Sequence, residues 1–405
     1  MDETRRLVVI GAGLAGCATA EAFSRRGWQV QVLEQCPQPG GAVIGLPLVA
    51  QHPALTPDND LRSRLLVGAM QLHAALRAGP ARDLQPAFER CGRFQPMEAA
   101  RARRCLSHVS NTVARFVQQP TDGLWFPECA AVSPARWWQQ VCKRPAVQLR
   151  TGITVARLHR QAGRWRVLDA SSQTLADAPV VVLACREQAF ALAGMDEADH
   201  GRLRLSPGRV WTARADGGPP DEDPGSPALR PIIGGGGLRL ERPGHFWLHN
   251  DEHHQRWLQG QVPLEPSPPD DGAGPPLHTI QAFIGRPESW HPGRIGERLQ
   301  LRDNLPMIGP APDTAQVAQQ AGQLARNDRL PLPRQPGLYL LCGLAGRGSL
   351  YAAIGAEMIA AHACHEAPVV DAALARATDP GRFIKRRLQR AWSQRGRPSS
   401  ARTDP

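Results

Sequence analysis

Residues 7–34 read LVVIGAGLAGCATAEAFSRRGWQVQVLE, and their order decides the fold class. Leu7 to Ile10 is a short apolar run of the kind a buried parallel strand needs. Gly11-Ala12-Gly13-Leu14-Ala15-Gly16 follows, then a helical stretch from Cys17 to Arg26 that Gly27 terminates. Trp28 to Leu33 alternates as a second strand, with Glu34 at its end. This is a βαβ unit with a dinucleotide-binding fingerprint. The first glycine makes the tight turn, the second admits a pyrophosphate to the backbone, and the third lets helix and strand approach. Glu34, 18 residues after Gly16, stands where a carboxylate accepts ribose hydroxyls.

Working outward, helices are expected over residues 61–76, 99–117, 134–142, 351–364 and 382–390. Ser133 and Pro134 supply the cap and first position of the third of these. Strands are expected at 123–129, 153–158, 164–168, 180–184 and 337–342. Residues 229–249 read as antiparallel strands turning at Gly234–Gly237 and at Pro243-Gly244. Two Pro-, Gly- and Asp-rich stretches, 215–226 and 263–276, read as surface loops.

The predicted class is α/β, α+β overall. A discontinuous Rossmann-like dinucleotide-binding domain (1–75, 130–200 and 296–390) carries an inserted, mostly antiparallel substrate domain (76–129 and 201–295). Residues 391–405 are expected to form a basic disordered tail.

The composition excludes several classes. With 42% hydrophobic residues in 405, the chain is expected to be globular, and no stretch is apolar for the length of a membrane span. Met1 to Arg6 lacks a signal region, so a cytoplasmic location is expected. Nine cysteines without a Cys-x-x-Cys pair read as reduced thiols. The net charge is +11, and the last 25 residues hold eight Arg and Lys against one Asp. Such a cluster attracts phosphate backbones or keeps a helix soluble.

The glycine loop alone does not separate FAD from NAD. FAD is favoured by the strand at 180–184, with Val155 placed against an adenine, and by the closing turn Gly343-Leu344-Ala345-Gly346-Arg347-Gly348. That turn aims a second helix start at a flavin carbonyl. Residues 249 and 251–254 (His249, Asp251, Glu252, His253, His254) read as a polar turn, so no metal is expected. Trp125, Trp137 and Trp138 offer base-stacking faces, with core packing the expected use of Trp137.

Four stretches carry a family resemblance: residues 11–30, 123–134 (GLWFPECAAVSP), 293–312 (GRIGERLQLRDNLPMIGPAP) and 337–388, which contains GLYLLCGLAGRGSLYAAIGAEMIAA. They resemble the D-amino-acid-oxidase superfamily. Within it they are most similar to the flavin-dependent half of the bifunctional tRNA 5-methylaminomethyl-2-thiouridine biosynthesis family. That resemblance implies oxidation of the carboxymethylaminomethyl group of a wobble uridine in tRNA to the aminomethyl form, with release of glyoxylate.

It further implies that Arg298 grips the substrate carboxylate and that Arg347 stands in the flavin turn. Gly11 to Gly16, Glu34, Gly41, Val155, Gly343, Gly346, Arg347 and Gly348 would hold FAD. Lys385, Arg386, Arg387 and Arg390 would meet tRNA phosphates. The sequence departs from the family in lacking its methyltransferase domain, which points to a separate methyltransferase for the next step. It also departs at Pro39-Gly40-Gly41-Ala42 and in residues 229–249. A small-molecule amine or amino-acid oxidase is the alternative, and a non-catalytic flavin- or RNA-binding protein is the third reading.

Overall fold

The computed structural model describes residues 4–40, 46, 48–109, 116–119, 123–214, 232–234, 237–242, 245–250 and 290–395. A six-stranded sheet forms its centre, built from β1 (Arg6–Ile10), β2 (Gln29–Leu33), β3 (Val147–Arg150), β4 (Val180–Leu183), β5 (Met307–Pro312) and β6 (Arg334–Cys342). The spatial order is β5-β6-β4-β1-β2-β3, parallel except for the antiparallel β5–β6 pair. The chain leaves β1 toward β2 on one side and returns to β4 on the other. The strand order therefore reverses at the carboxyl end of β1, where doubly wound sheets bind ligands.

Alternation along the strands builds two layers. Leu7, Val9, Val30, Val32, Val180 and Val182 face α1 (Leu14–Ser24), α3 (Pro134–Cys142) and α4 (Gly348–Ala363). Val8, Ile10, Val181 and Leu183 face a three-stranded antiparallel sheet whose Trp165, Val167 and Ala178 close the other side. The central strands β1 and β4 are buried on both faces, which is why they read as continuous apolar runs. Helix α4 lies tight on the sheet because it carries Gly355. A Cβ there would stand 2.4 Å from Leu341 Cδ1.

A seven-stranded sheet forms the second layer system. Its order is Trp290–Leu301, Leu203–Arg214, His245–Asn250, Gly237–Arg242, Ile232–Gly234, Arg93–Pro96, Gly123–Phe126. All neighbours are antiparallel except Ile232–Gly234 beside Arg93–Pro96. Three of these strands come from the segment expected to be antiparallel, and residues 235–236 and 243–244, within or at the turns expected there, lie outside the described set. A third core joins α2 (Leu61–Ala78) to Phe126 and to Leu350, Tyr351 and Ile354 of α4. One helix thus covers the six-stranded sheet and joins the third core.

Several element limits differ from the sequence reading. The helix expected over 99–117 ends at Ser107, and residues 110–115 lie outside the described set. The strand expected from Ile153 starts at Arg157, because Ile153 donates its N–H to the Glu34 carbonyl and the chain crosses the end of β2 there. The helix expected over 382–390 runs on as α5 (Arg382–Arg395), so residues 391–395 are helical rather than tail. Residues 396–405 lie outside the described set. No helix among the described residues is long and apolar enough to cross a membrane.

Candidate functional site

The loop after β1 is shaped by three glycines with three different surroundings. Gly11 has φ +100°, and a Cβ there would meet the Ala184 carbonyl oxygen at 2.6 Å. A Cβ on Gly16 would stand 1.9 Å from the Gly11 carbonyl oxygen, so α1 can cross the loop only on a bare backbone. At Gly13 a Cβ would meet nothing within 4 Å. The outer two glycines are required by protein packing, whereas the middle one faces open space. Gly13 caps α1 with no side-chain hydrogen bond, and the first turn holds no acid. The helix start therefore presents N–H groups and a positive dipole end to that space, the arrangement that receives a phosphate. From behind, Trp138 Nε1 and the Gly40 N–H donate to the Ala12 carbonyl at 2.7 and 2.6 Å.

Glu34 is buried at the end of β2. Its Oε2 accepts the Ala12 N–H at 2.6 Å and its Oε1 accepts the Cys36 N–H at 2.9 Å. Both oxygens keep a further lone pair, so a fixed carboxylate is available to a ribose. Ile153 and Val155 come alongside through the bond from the Ile153 N–H to the Glu34 carbonyl. These groups open onto one cleft of about 390 Å³, lined by Gly11, Gly13, Glu34, Val155, Arg298 and Gly343 among others.

The opposite wall comes from the end of β6. Gly343 has φ +72°, and a Cβ there would stand 2.7 Å from Leu301 Cδ1. After it the chain makes one 3-10 turn, Ala345–Arg347, and enters α4. A Cβ on Gly348 would lie 3.1 Å from Leu14 Cδ1, so the starts of α1 and α4 face each other across the cleft. Two positive helix ends converge where a dinucleotide with an electron-accepting ring would sit. The open space at Gly13, the fixed Glu34 carboxylate and this second helix start together fit FAD.

Arg298 lines the cleft from the strand Trp290–Leu301. A Cβ on Gly346 would lie 3.7 Å from its Nη1, which places the guanidinium against the closing turn. Arg347 stands in the closing turn, as the resemblance implies, and its side chain is engaged by His52. It turns away from the cleft lining and donates to the carbonyl and to Nδ1 of His52, while His52 Nε2 contacts the Gly346 carbonyl at 2.8 Å. Those two bonds assign the neutral tautomer, with the proton on Nε2.

Burial lowers the Arg347 guanidinium to about 9. The nearby Arg93, Arg62 and Arg298 push the same way, against the Tyr351 phenol. Arg93, 5% exposed, is lowered to about 10 by burial. Arg93 and Arg347 meet no carboxylate within salt-bridge distance among the described residues, and Arg93 Nε and the Tyr351 hydroxyl have no hydrogen-bond partner there. Buried cations without counter-ions are costly, and an anion entering beside them relieves that cost.

Of the residues singled out from sequence, Gly11, Gly13, Leu14, Ala15, Glu34, Val155, Arg298, Gly343 and Gly348 share the cleft. Ala12 and Gly16 support it from behind, and Gly346 and Arg347 flank it. Gly41 lies outside the described residues, as do residues 251–254; His249 falls in a strand of the seven-stranded sheet. Trp137 is packed in the core, as expected. Lys385, Arg386, Arg387 and Arg390 sit on α5, apart from the cleft. Three of them are engaged within the chain. Lys385 donates to the Asp328 carbonyl, Arg386 pairs with Asp303 at 3.2 Å, and Arg387 pairs with Asp199 at 2.7 Å. Sequence reading missed His52 and Arg93, which belong to no local motif and reach the site only through the tertiary fold; Trp138, read with Trp137 as a base-stacking face, instead braces the glycine loop.

Comparison with known proteins agrees with this geometry. Residues 6–362 match the family described as FAD dependent oxidoreductase, DAO. A relative from Burkholderia multivorans, named as the tRNA 5-methylaminomethyl-2-thiouridine biosynthesis bifunctional protein MnmC, is 33% identical over 95% of this chain and 60% of its own length. The Paraburkholderia phytofirmans protein of the same name is 31% identical over 96% of this chain and 61% of its own. The chain thus spans about three fifths of these relatives. Among solved structures, glycine oxidase from Geobacillus kaustophilus superposes with a TM-score of 0.60 at 14% identity, covering 94% of this chain and 99% of that one. The fold, the dinucleotide cleft and the family match agree, and the chain belongs to the DAO family of FAD-dependent oxidoreductases.

Proposed function

We propose that this protein oxidises the carboxymethylaminomethyl group, with or without the 2-thio substituent, of a tRNA wobble uridine to the aminomethyl form, releasing glyoxylate. The observation that carries this reading is the similarity of 95% of the chain to proteins named for that modification. The cleft supports it, because Arg298 enters beside the flavin position and is suited to grip a carboxylate with two parallel hydrogen bonds.

The loop from Gly11 to Gly16, Glu34 and Val155 would hold the FAD pyrophosphate, ribose and adenine. The start of α4 would face the ring. Bound FAD supplies the two-electron acceptor for a C–N bond, and the chain's own residues bind, orient and exclude water. Arg298 fixes the carboxylate and hence the carbon beside the amine. The buried charge of Arg93 and Arg347 adds a positive field behind it. His52 acts as a positioning residue that ties Arg347 and the Gly346 carbonyl together. The methylation that would follow requires another catalytic domain, and a cytoplasmic location would suit a tRNA substrate.

A second reading is oxidation of a free amine or amino acid, since solved flavoenzymes of this fold carry the names glycine oxidase and L-amino acid deaminase. The two separate on product analysis. After incubation with tRNA carrying carboxymethylaminomethyluridine, the first reading expects aminomethyluridine in the nucleoside digest and one glyoxylate per conversion. Unchanged nucleoside beside rapid turnover of glycine or sarcosine would establish the second.

A further inference from the structure

Resting on the tRNA reading, we propose that the cleft between α5 and the ends of two long strands binds the phosphate backbone flanking the modified base. Residues Leu203 and Leu301 are paired partners, so Arg202 and Arg302 lie side by side where the two strands end. With Arg386, Arg387 and Arg390 of α5 they line a concavity of about 810 Å³, facing two carboxylates, Glu197 and Asp303. Arg386 is held by Asp303 and Arg387 by Asp199. Arg202, Arg302 and Arg390 are exposed and make no ion pair with the described residues. Three guanidiniums outside any such ion pair therefore share one groove with Glu197, which leaves an excess of positive charge there.

The position matters as much as the charge. Arg302 lies one residue past the strand that carries Arg298 and four residues beyond it, roughly 13 Å at about 3.3 Å per residue. A base drawn out of an anticodon loop into the flavin cleft carries its neighbours' phosphates along the rim at that scale. Beyond Arg390, a second concavity of about 410 Å³ shares Arg386, Arg390 and Gln394 and adds Gln389 and Ser393, so two side-chain amides stand along the path. A concave path with both charge and amide donors suits a nucleic-acid backbone better than a flat lipid surface.

The test uses the FAD-loaded protein and fluorescently labelled tRNA, titrated by anisotropy across a range of salt. Arg302→Glu/Arg390→Glu is expected to weaken binding at least tenfold, and to make the log affinity against log salt line shallower by about two contacts. Arg302→Lys/Arg390→Lys should stay within a few-fold of wild type, and Arg202→Gln alone should cost about one contact in slope. Flavin absorbance and melting temperature report the fold of each variant. Wild-type affinity and slope in the Glu double variant and in Arg202→Gln would overturn the cleft while leaving the tRNA reading intact. Failure of the wild-type protein to bind or oxidise the tRNA would remove the reading and the cleft together. Loss of binding to vesicles of anionic phospholipid, with tRNA binding unchanged, would reassign the cleft to membranes and overturn the proposal.

Discussion

Gly13 and Gly16 lie three residues apart in one loop, and the structure predicts opposite consequences for the same added methyl group. At Gly16 the Cβ would fall 1.9 Å from a backbone oxygen, which cannot rotate aside. Helix α1 would have to lift off β1, and overpacking of this kind costs about 3 kcal/mol or more. At Gly13 φ is −73° and ψ −169°, backbone that alanine adopts freely, and the methyl meets no protein atom. The apoprotein of Gly13→Ala should therefore be as stable as wild type, or more stable by up to ~1 kcal/mol through a less flexible unfolded chain.

The methyl would occupy the space a pyrophosphate needs, so FAD affinity should fall at least tenfold, about 1.4 kcal/mol. Linkage makes this measurable. At an FAD concentration of ~100 times the wild-type dissociation constant, ligand stabilisation is about 2.7 kcal/mol, and a tenfold loss halves it to about 1.4. Urea unfolding of apo and FAD-loaded protein, followed by tryptophan fluorescence, reads both quantities. A Gly13→Ala protein with wild-type FAD stabilisation would refute the assignment of this loop as the phosphate cradle. A well-folded Gly16→Ala would refute the packing argument.

Further outcomes follow from the same structure. Arg298→Lys should retain the flavin spectrum but lose on the order of 100-fold in kcat/KM, since an ammonium cannot grip a carboxylate bidentately; steady-state kinetics checks this. Burial holds His73 down to about 3 against an ordinary 6.5, so its unfolded form takes up protons first as pH falls. Stability should fall below pH 6.5 by about 1.4 kcal/mol per pH unit, reaching about 2 kcal/mol near pH 5, and urea midpoints of His73→Gln should lack that component. Burial raises Asp303, but the hydrogen bonds and charge of Arg382 outweigh it and leave the carboxyl lowered. Its contribution is present above the ordinary carboxylate range and is lost as pH drops through the lower folded value. Asp303→Asn strands the buried Arg382 and should cost about 3 kcal/mol at neutral pH, read as a shift in urea midpoint.

How far the sequence foretold the molecule depends on how local each signal is. The unit from β1 to Glu34 was legible because turn, helix start and acid lie within 28 residues, and each glycine answers a nearby steric demand. Pro134–Cys142 appeared at its expected limits because Ser133 does cap it, accepting the Arg136 N–H. The arginine field was not legible. Arg93 sits on a short strand from one segment, His52 in an irregular stretch and Arg347 in the closing turn, and only tertiary packing makes them neighbours. The four cations of α5 show the same limit of local reading. Spacing placed them on one helix, but the acids that engage two of them, Asp199 and Asp303, come from distant segments.

Oxidation of the tRNA wobble base by this protein is tested by anaerobic reduction of the FAD-loaded enzyme, followed at the flavin absorbance maximum. TRNA bearing carboxymethylaminomethyluridine is set against free glycine and sarcosine at matched concentrations. Rapid bleaching is expected with the modified tRNA, slow or absent bleaching with the small amines, and no bleaching with tRNA that lacks the modification. Bleaching by the small amines with the tRNA inert would contradict oxidation of the wobble base.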